Sequence, residues 1–459
     1  MSAINATKRL GDYLAGAVAE PLKGDVAEKA AICLLDATGL AVLAHAEPAA
    51  RAARTIAATA AKGQNSARIW ADGRRVSAGE AALVNGIATH AHFQDDTDHD
   101  SWSHPGSLVP PAVIAICEAR GLDLGVALRA ITAGYATMNW LGRGEEVSRK
   151  LIARGIRTSP TFGTIGAAAG CAVALGLDSD KASAAVAIAA NTTGGTLEPV
   201  RCGSDEWRVQ NGRAAQGGLV AGLLAEQGVA GAANALEGAR GFLFALAGAD
   251  AAPAAWQLAP DPSIMLGIMA KPFATLGDNM AAACAARVAR RNGIPIDDIS
   301  SISVTLWRPY TEYPGTSFRG PYVTNVQTQA STAYAVCAML IHGNLTYEMG
   351  TSERNDPRLL DLISKTEIRP HDGSHHQSVV TVHFKDGQTV TGDAKDAPKT
   401  LILQDADRAL EVFEERLTAA GHKPGDGCAL GETVLSAAAS GRFMPISEFF
   451  DRLPAQAPR

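Results

Sequence analysis

The chain has 459 residues, of which 47% are hydrophobic and 19% are charged. This length exceeds a single ordinary hydrophobic core and predicts two, or about three, domains, and this composition excludes intrinsic disorder. The formal net charge is −6 and no long run of Lys or Arg occurs, so nucleic acid is not an expected partner, although local arginines could still bind a small anion.

Residues 1–268 show helical periodicity almost throughout. Apolar residues recur at helical spacing in segments that are broken by glycine-containing turns. Helices that are apolar on most faces are buried, so this part of the chain predicts a helical domain. The main predicted helices are residues 26–43, 110–120, 124–135, 161–177, 181–191 and 213–227.

The pattern changes near Lys271, where strands are predicted between helices. Residues 299–307 alternate between apolar and polar, which is typical of a half-buried strand, and the Asp386-Gly387 pair is typical of a hairpin turn. The sequence predicts helices at 280–292, 327–341 and 401–421, and strands at 299–307, 365–369, 379–384 and 388–392.

The predicted fold class is therefore mostly α. We expect a large all-helical domain built from residues 1–268 and 402–459, with the tail packed back on the first segment. A smaller α+β domain is expected at residues 269–401.

The cysteines and the N-terminal stretch indicate the cellular compartment of the protein. Seven cysteines, an odd number without a C-x-x-C pair, stand mostly in apolar runs, which predicts buried free thiols in a reducing compartment. The N-terminal stretch carries Asp12 and Glu20, which does not fit a secretory signal, and the most apolar segment, residues 163–177, is too short to cross a bilayer. We expect a cytoplasmic protein without a membrane partner.

No nucleotide-binding glycine motif occurs, and we expect no cofactor.

The densest polar segment spans residues 90–106 and contains four His and four Asp within fifteen residues. Carboxylates beside imidazoles push one another's pKa values apart, as acid–base catalysis requires. We interpret the segment as part of an active site that binds no metal. Two alternatives stay open: a solvated loop, or a metal site, whose ligands would be His90, His92, Asp95 and His99 although their spacing matches no standard motif.

This segment also resembles a known motif. His90-Ala91, then Gln94-Asp95-Asp96-Thr97, then His104-Pro105-Gly106 are similar to the H-A-x-D-F-D-D-T…H-P motif of the MmgE/PrpD family. Further similar stretches follow in the family's order at residues 36–39, 155–178, 212–215, 236–242 and 271–273. The family contains 2-methylcitrate dehydratases, cis-aconitate decarboxylases and iminodisuccinate epimerases. The resemblance implies a large helical domain built from both chain ends, a smaller α+β domain and a homodimer.

Several ionisable positions of the family are changed here. Phe93 replaces the first Asp of the motif, and Trp207 replaces a Lys, with Arg208 next to it. Other replacements are Arg157 for a His, Ser159 for a Thr, Gln210 and Asn211 for a His-Ala pair, and Thr275, Gly277, Asp278 and Asn279 where Cys, Arg and His are usual. These changes argue against 2-methylcitrate and cis-aconitate as substrates. They indicate a less anionic, larger or partly apolar substrate.

The candidate site residues follow from the chemistry of removing a proton beside a carboxylate. That reaction needs a base, together with cations or donors that hold the developing negative charge. The catalytic candidates are Asp95, Asp96, Thr97, His104 and Tyr322, the last because the family places a tyrosine there. The substrate-binding candidates are Arg157, Ser159, Arg208, Gln210 and Lys271.

Each candidate also has a structural alternative. Arg157 and Arg208 could each pair with a neighbouring Asp, Lys271 could be an interdomain contact, and Tyr322 could be a core ring. We interpret His371, His375 and His376 as surface residues.

The predicted function is a lyase of the dehydratase type. It would remove a proton α to a carboxylate of a small carboxylic acid and expel a β leaving group such as water. The alternatives are an epimerase or isomerase of such an acid, and a non-catalytic paralogue that binds the ligand. All three predict a site between the two domains.

Overall fold

The computed structural model describes residues 5–59, 66–291, 294–398 and 405–453. Two large hydrophobic cores organise them. The first contains buried residues from Ala6 to Ile268 and from Ala409 to Leu453, and the second contains those from Met269 to Phe384. The prediction of a mostly α, two-part fold is confirmed.

The first core is built almost entirely from helices. Their bounds are α1 Ala6–Ala17, α2 Gly24–Leu43, α3 Pro48–Ile56, α4 Ala78–His90, α5 Val109–Arg120, α6 Leu124–Gly142, α7 Glu146–Ala153, α8 Thr158–Ala174, α9 Ser179–Thr192, α10 Glu198–Cys202 and α11 Glu206–Glu226. A short antiparallel hairpin of β1 (Ser66–Arg68) and β2 (Arg75–Ser77) joins them. The sequence did not predict this hairpin, because three-residue strands are too short to show an alternating pattern.

Glycines let the central helices α6 and α8 approach closely. A Cβ atom built on Gly134 would lie 2.8 Å from the carbonyl oxygen of Gly166, a distance that no real side chain tolerates. Close backbone approach explains how a chain with few aromatic residues fills a core, since protein interiors pack as densely as organic crystals.

The second core is built around a four-stranded sheet. Its elements are α12 Met280–Arg290, β3 Ile299–Trp307, α13 Arg308–Thr311, α14 Asn325–Ala330, α15 Thr332–His342, α16 Met349–Ser352, α17 Pro357–Ser364, β4 Thr366–His371, β5 Val379–Phe384 and β6 Thr389–Asp393. The strand order is β4-β3-β5-β6. β3 pairs in parallel with β4 and antiparallel with β5, and the predicted hairpin joins β5 to β6. Ile302, Val304 and Leu306 are buried on one face of β3, as their alternation predicts.

One predicted helix, residues 327–341, is wrong as a single element. The chain leaves helical geometry at Ser331, which has φ −71° and ψ 118° and whose hydroxyl accepts a hydrogen bond from the backbone N–H of Tyr334. Ser331 therefore ends α14 and caps α15, as serine does at a helix N-terminus.

The C-terminal helices return to the first core. They are α18 Ala406–Ala419, α19 Asp426–Ser440 and α20 Ile446–Arg452. Arg416 on α18 donates a hydrogen bond to the carboxylate of Asp36 on α2 at 2.7 Å, and both side chains are buried. Residues 401–404 of the predicted helix 401–421 lie outside the described residues.

Two further expectations concern membranes and thiols. Within the described ranges, no helix combines the length and the apolar character that a bilayer crossing requires. Five of the seven cysteines are buried free thiols, whereas Cys428 is partly exposed and Cys202 is exposed.

Candidate active site

The polar segment lies between two well-defined helix ends. A capping box between Ser77 and Glu80 begins α4, which runs to His90, and α5 begins at Val109 with Pro110 in its first turn. The intervening loop is held in place because Thr97 exchanges two backbone hydrogen bonds, of 2.8 and 3.0 Å, with Met269 at the start of the second core. The predicted segment is thus a buried loop at the junction of the two cores, and not a solvated one.

A buried chain of three side chains forms one part of the site. His90 Nδ1 lies 2.8 Å from Asp95 Oδ2, and Arg157 Nη2 donates to His90 Nε2 at 2.5 Å. Because Arg157 can only donate, His90 Nε2 must accept, and its proton is on Nδ1, where it is donated to Asp95. The three residues are at most 2% exposed.

The protonation states agree with that hydrogen-bond order. Burial lowers the pKa of His90 to about 4, so the ring is neutral. Burial by itself would raise the pKa of Asp95, but the hydrogen bond from His90 and the positive charge of Lys271 bring it well below its ordinary value, and the carboxylate is ionised. Asp95 is therefore the anion that balances Arg157.

Arg157 has little capacity left for a substrate. Its Nη1 donates to the backbone oxygen of Trp207 at 2.9 Å and to the side chains of Gln210 and Asn211 at 3.3 and 3.2 Å. Arg157 and Gln210 were predicted to bind substrate. The structure brings them together, with each other and with Asp95, but their donors and acceptors are used within the protein.

His104 presents a free nitrogen. Its Nδ1 lies 3.1 Å from the carbonyl oxygen of Asp96 and 3.2 Å from Thr97 Oγ1, and its backbone N–H donates to Ser159 Oγ at 3.2 Å. A carbonyl oxygen can only accept, so Nδ1 carries the proton and Nε2 has an available lone pair. Burial, followed by the positive charge of Lys271, lowers the pKa of His104 well below its usual value, which keeps the ring neutral.

Asp96 has its carboxylate turned away from that nitrogen. It accepts hydrogen bonds from the backbone N–H of Gly106 and from the hydroxyl of Tyr135, both at 2.7 Å. A Cβ atom on Gly106 would lie 2.9 Å from Asp96 Oδ1, so glycine is required for this contact. Burial, with the nearby carboxylate of Asp36, raises the pKa of Asp96 to about 7.

Lys271 is fully buried and its ammonium group has no hydrogen-bond partner among the described residues. Its Nζ lies 5.2 Å from the centre of the Phe93 ring, a distance at which a cation and an aromatic face attract. Burial lowers the pKa of Lys271 to about 8, and the carboxylates of Asp95, Asp96 and Asp278 oppose that shift. A buried cation without a partner is costly and indicates a place for an anionic ligand.

A small cleft, with about 20 Å³ of space for water-sized groups, lies beside His104. Thr97, His104 and Ser159 line it from the first core, and Asp278 and Tyr310 line it from the second. Asp278 Oδ1 and His99 Nε2 are enclosed polar atoms without a partner in the described part of the chain, and His99 Nδ1 lies 2.7 Å from the Tyr310 hydroxyl. The cleft therefore contains unused acid–base groups on both sides.

Aromatic rings occupy positions where the family has charged residues. Phe93 and Trp207 pack with their ring centres 4.4 Å apart and belong to a small buried cluster. Phe93 has a positive φ of 55°, a strained conformation for a non-glycine residue, of the kind found at functional sites. Together the two rings exclude water from the side of the site next to Lys271.

Two other candidates lie outside the cleft. Arg208 donates to the backbone oxygen of Ala91 at 2.9 Å, to Tyr347 at 3.1 Å and to Asp205, so it has the neighbouring Asp as a partner. The Tyr322 hydroxyl lies 2.9 Å from Ser331 Oγ, and its ring belongs to the second core. Neither side chain lines the cleft beside His104, and neither does the buried side chain of Lys271.

His375, interpreted from the sequence as a surface residue, is half-buried. Its ring stacks on that of His99 with centres 4.5 Å apart, because the loop between β4 and β5 folds over the polar segment. His376 is exposed and His371 is half-buried at the end of β4.

The alternative of a metal site finds no support in the geometry. Among the described residues, no group of three or more His, Cys, Asp and Glu side chains is placed to hold a metal ion. His90 and Asp95 bond to each other, whereas the His92 ring stacks on Tyr347, with centres 4.0 Å apart.

Comparison with models of known protein families shows which family the chain matches. The model of the MmgE/PrpD N-terminal domain matches residues 8–254, and that of the MmgE/PrpD C-terminal domain matches residues 277–405. The chain belongs to the MmgE/PrpD family. The resemblance seen in the sequence is confirmed.

Named relatives of this MmgE/PrpD chain include human cis-aconitate decarboxylase, which is 29% identical over 336 residues, covering 68% of this chain and 66% of the human protein. A cis-aconitate decarboxylase-like protein of Aspergillus oryzae is 28% identical over 425 residues, covering 84% of this chain and 85% of that protein. The mouse cis-aconitate decarboxylase is 28% identical over 338 residues, covering 68% of this chain and 66% of that protein.

Sequence reasoning missed two groups of this MmgE/PrpD site. His99 was considered only as a metal ligand, and Asp278 only as a departure from the family. For Asp278 a signal was present, since it is an ionisable residue next to Leu276 and Gly277, and such residues are candidates for a buried polar site. His99 was one of many ionisable residues in its segment, and nothing local distinguished it. Their position in one cleft could be seen only when the two cores were brought together.

Proposed function

We propose that the chain is a lyase of the dehydratase type that acts on a small carboxylic acid. His104 removes the proton α to a carboxylate, and Lys271 binds that carboxylate. The observation that carries this proposal is the state of His104: its Nδ1 proton is fixed by the Asp96 carbonyl, which leaves Nε2 as a base at the cleft.

Lys271 supplies the opposite charge. Removing a proton α to a carboxylate places negative charge on the carboxylate oxygens, and a preorganised cation in a water-poor site stabilises that charge more than water would. The ammonium group is buried and unpartnered, so binding of a substrate carboxylate also relieves an existing electrostatic cost. Ser159 accepts a hydrogen bond from the backbone N–H of His104, and the Thr97 hydroxyl contacts its ring, so both residues hold His104 in place.

The Asp95–His90–Arg157 chain supports the site without touching the cleft directly. It supplies a net neutral, fully hydrogen-bonded wall behind the Phe93 and Trp207 rings. We assign Asp95, Asp96 and Arg157 to positioning roles, and His104 and Lys271 to the reaction.

The names of the relatives agree with lyase chemistry, since decarboxylases and dehydratases both break a bond to carbon without hydrolysis or oxidation. The direct test is proton NMR of the purified protein in D₂O with citrate, 2-methylcitrate, cis-aconitate and iminodisuccinate. The proposal predicts a new olefinic product, or addition of water to an olefinic substrate. Deuterium entry at the α position without a new compound would instead establish an isomerase. If none of the four compounds gives a product or exchanges its α proton, the proposal is contradicted.

A further inference from the structure

Asp278 is a carboxyl group of the cleft that the mechanism above does not use. It begins a turn with Gly277 before α12. Its Oδ1 is enclosed and has no hydrogen-bond partner within the described residues. Burial raises the pKa of Asp278 to about 7, and Lys271 opposes that shift only in part. Near neutral pH, a substantial fraction of Asp278 therefore carries a proton.

The turn that carries Asp278 lies against the loop that carries His104. A Cβ atom built on Gly277 would lie 3.3 Å from Thr97 Oγ1 and 3.6 Å from His99 Cε1, and Thr97 Oγ1 is itself 3.2 Å from His104 Nδ1. Glycine at 277 therefore lets the turn press against the polar loop. His104 and Asp278 face one cleft from the two cores, with Thr97 beside both.

The charges around the cleft restrict what a ligand can present there. Arg157 and Arg208 have their donors engaged by protein groups. Lys271 does not itself line the cleft, but its charge acts on both His104 and Asp278, and its nitrogen has no hydrogen-bond partner among the described residues. The arrangement fits a ligand with one carboxylate at Lys271 and a neutral polar group, such as a hydroxyl, at Asp278.

We propose that Asp278 is the catalytic acid of this site: it protonates a hydroxyl that leaves from the carbon β to the carboxylate bound by Lys271. The substrates are then β-hydroxy carboxylic acids. This inference rests on the proposed function, because it requires His104 to remove the α proton.

The step balances without any further reactant. His104 Nε2 takes the α proton, and the electron pair of that C–H bond forms the carbon–carbon double bond. The electron pair of the C–O bond leaves with the hydroxyl oxygen, which takes the proton of Asp278 and departs as water. The imidazolium of His104 and the carboxylate of Asp278 then return to their starting states by proton exchange through solvent.

The test compares wild type with Asp278→Asn on leaving groups that do and do not need a proton. The hydroxy acids are malate, citrate and 3-hydroxybutanoate, and the fluoro analogues are fluorosuccinate and 3-fluorobutanoate, from which fluoride leaves without protonation. With the hydroxy acids that wild type converts, the variant is expected to form alkene at least about 100-fold more slowly. Its fluoride release, measured by electrode, is expected to match that of wild type.

Asp297→Asn is the matched control, because that side chain is 86% exposed and pairs with Arg358 at the surface of the second core. It should behave as wild type in both assays, and equal thermal unfolding of all three proteins shows that the fold is kept. Unchanged dehydration by Asp278→Asn would overturn the inference, and so would equal losses with hydroxy and fluoro substrates, which indicate a positioning role.

The proposed function and this inference can fail separately. If wild type forms no alkene from any of the hydroxy acids, the inference is overturned. If it nevertheless forms a new olefinic product from another acid of the panel above, the proposed lyase stands with another group as its acid. If no acid of that panel gives a new product, the proposed function fails as well.

Discussion

His104 Nδ1 lies 3.1 Å from the backbone carbonyl oxygen of Asp96, and this one contact decides which nitrogen of the ring can act as a base. A carbonyl oxygen cannot donate, so the proton stays on Nδ1 and Nε2 keeps its lone pair. Because the acceptor belongs to the backbone, the tautomer does not depend on the ionisation of any neighbouring side chain.

Replacing His104 should remove turnover with little effect on folding. His104→Gln keeps a polar side chain of similar reach but cannot accept a proton as a base, so we expect kcat to fall by about 100-fold or more. His383→Ala, a half-buried histidine on β5, is the control and should keep wild-type activity. Steady-state kinetics together with thermal unfolding checks this, and a fully active His104→Gln would refute the role of the ring.

Lys271→Met should make the protein more stable and inactive. The buried lysine has its pKa lowered from 10.5 to about 8. The folded state therefore disfavours the charged form, so stability decreases as the pH falls from 10.5 to about 8, and the full cost applies below pH 8. The shift corresponds to a loss of about 3 kcal/mol in the free energy of unfolding at neutral pH. Methionine is an apolar residue of similar length that carries no charge, so we expect the variant to regain that amount. Urea unfolding at pH 7 measures the gain, and a lower stability of Lys271→Met would show that the ammonium group is already satisfied.

Asp96 should make the free energy of unfolding fall as the pH rises. Its pKa is raised by burial from 3.8 to about 7, so the folded state favours the protonated form. The stabilising contribution is complete below pH 4 and is lost as the pH rises through 7. Asp96→Asn cannot ionise and should be less sensitive to pH, so wild type loses more stability than the variant between pH 5 and pH 8. Urea unfolding at the two pH values tests this, with Asp297→Asn as the exposed control; parallel losses would contradict it.

Arg157 should matter more for stability than for substrate affinity. Its guanidinium donates to His90, to Trp207 and to two side chains of α11, and Asp95 is the buried anion of the same network. Arg157→Met leaves that anion unbalanced, which costs about 3–5 kcal/mol. Arg213→Met, on the exposed side of α11, should be close to neutral. If Arg157→Met unfolds at the wild-type urea concentration but has a raised KM, Arg157 binds substrate as the sequence predicted.

Much of the fold could be predicted from local patterns, because glycine breaks and apolar spacing specify helix ends and strand faces along the chain. The break at Ser331 was missed, since a serine between Ala330 and Thr332 fits a helix interior as well as a cap. The strands β1 and β2 were missed because three residues are too few to show the alternating pattern of a strand.

The site was predicted only in part. The loop that contains Asp95, Asp96, Thr97 and His104 was found from its density of ionisable residues. The sequence could not show that the donors of Arg157 and Arg208 are engaged by backbone oxygens, nor that Asp278 and His104 share a cleft. These are facts of long-range packing between the two cores, which local spacing does not encode.

The most direct test of the central claim is the rate at which the α proton of a bound carboxylic acid exchanges with D₂O, measured by proton NMR for wild type and His104→Gln. The account predicts exchange with wild type and a loss of about 100-fold or more with the variant. Exchange at the wild-type rate in His104→Gln would contradict it, because another group would then be the base.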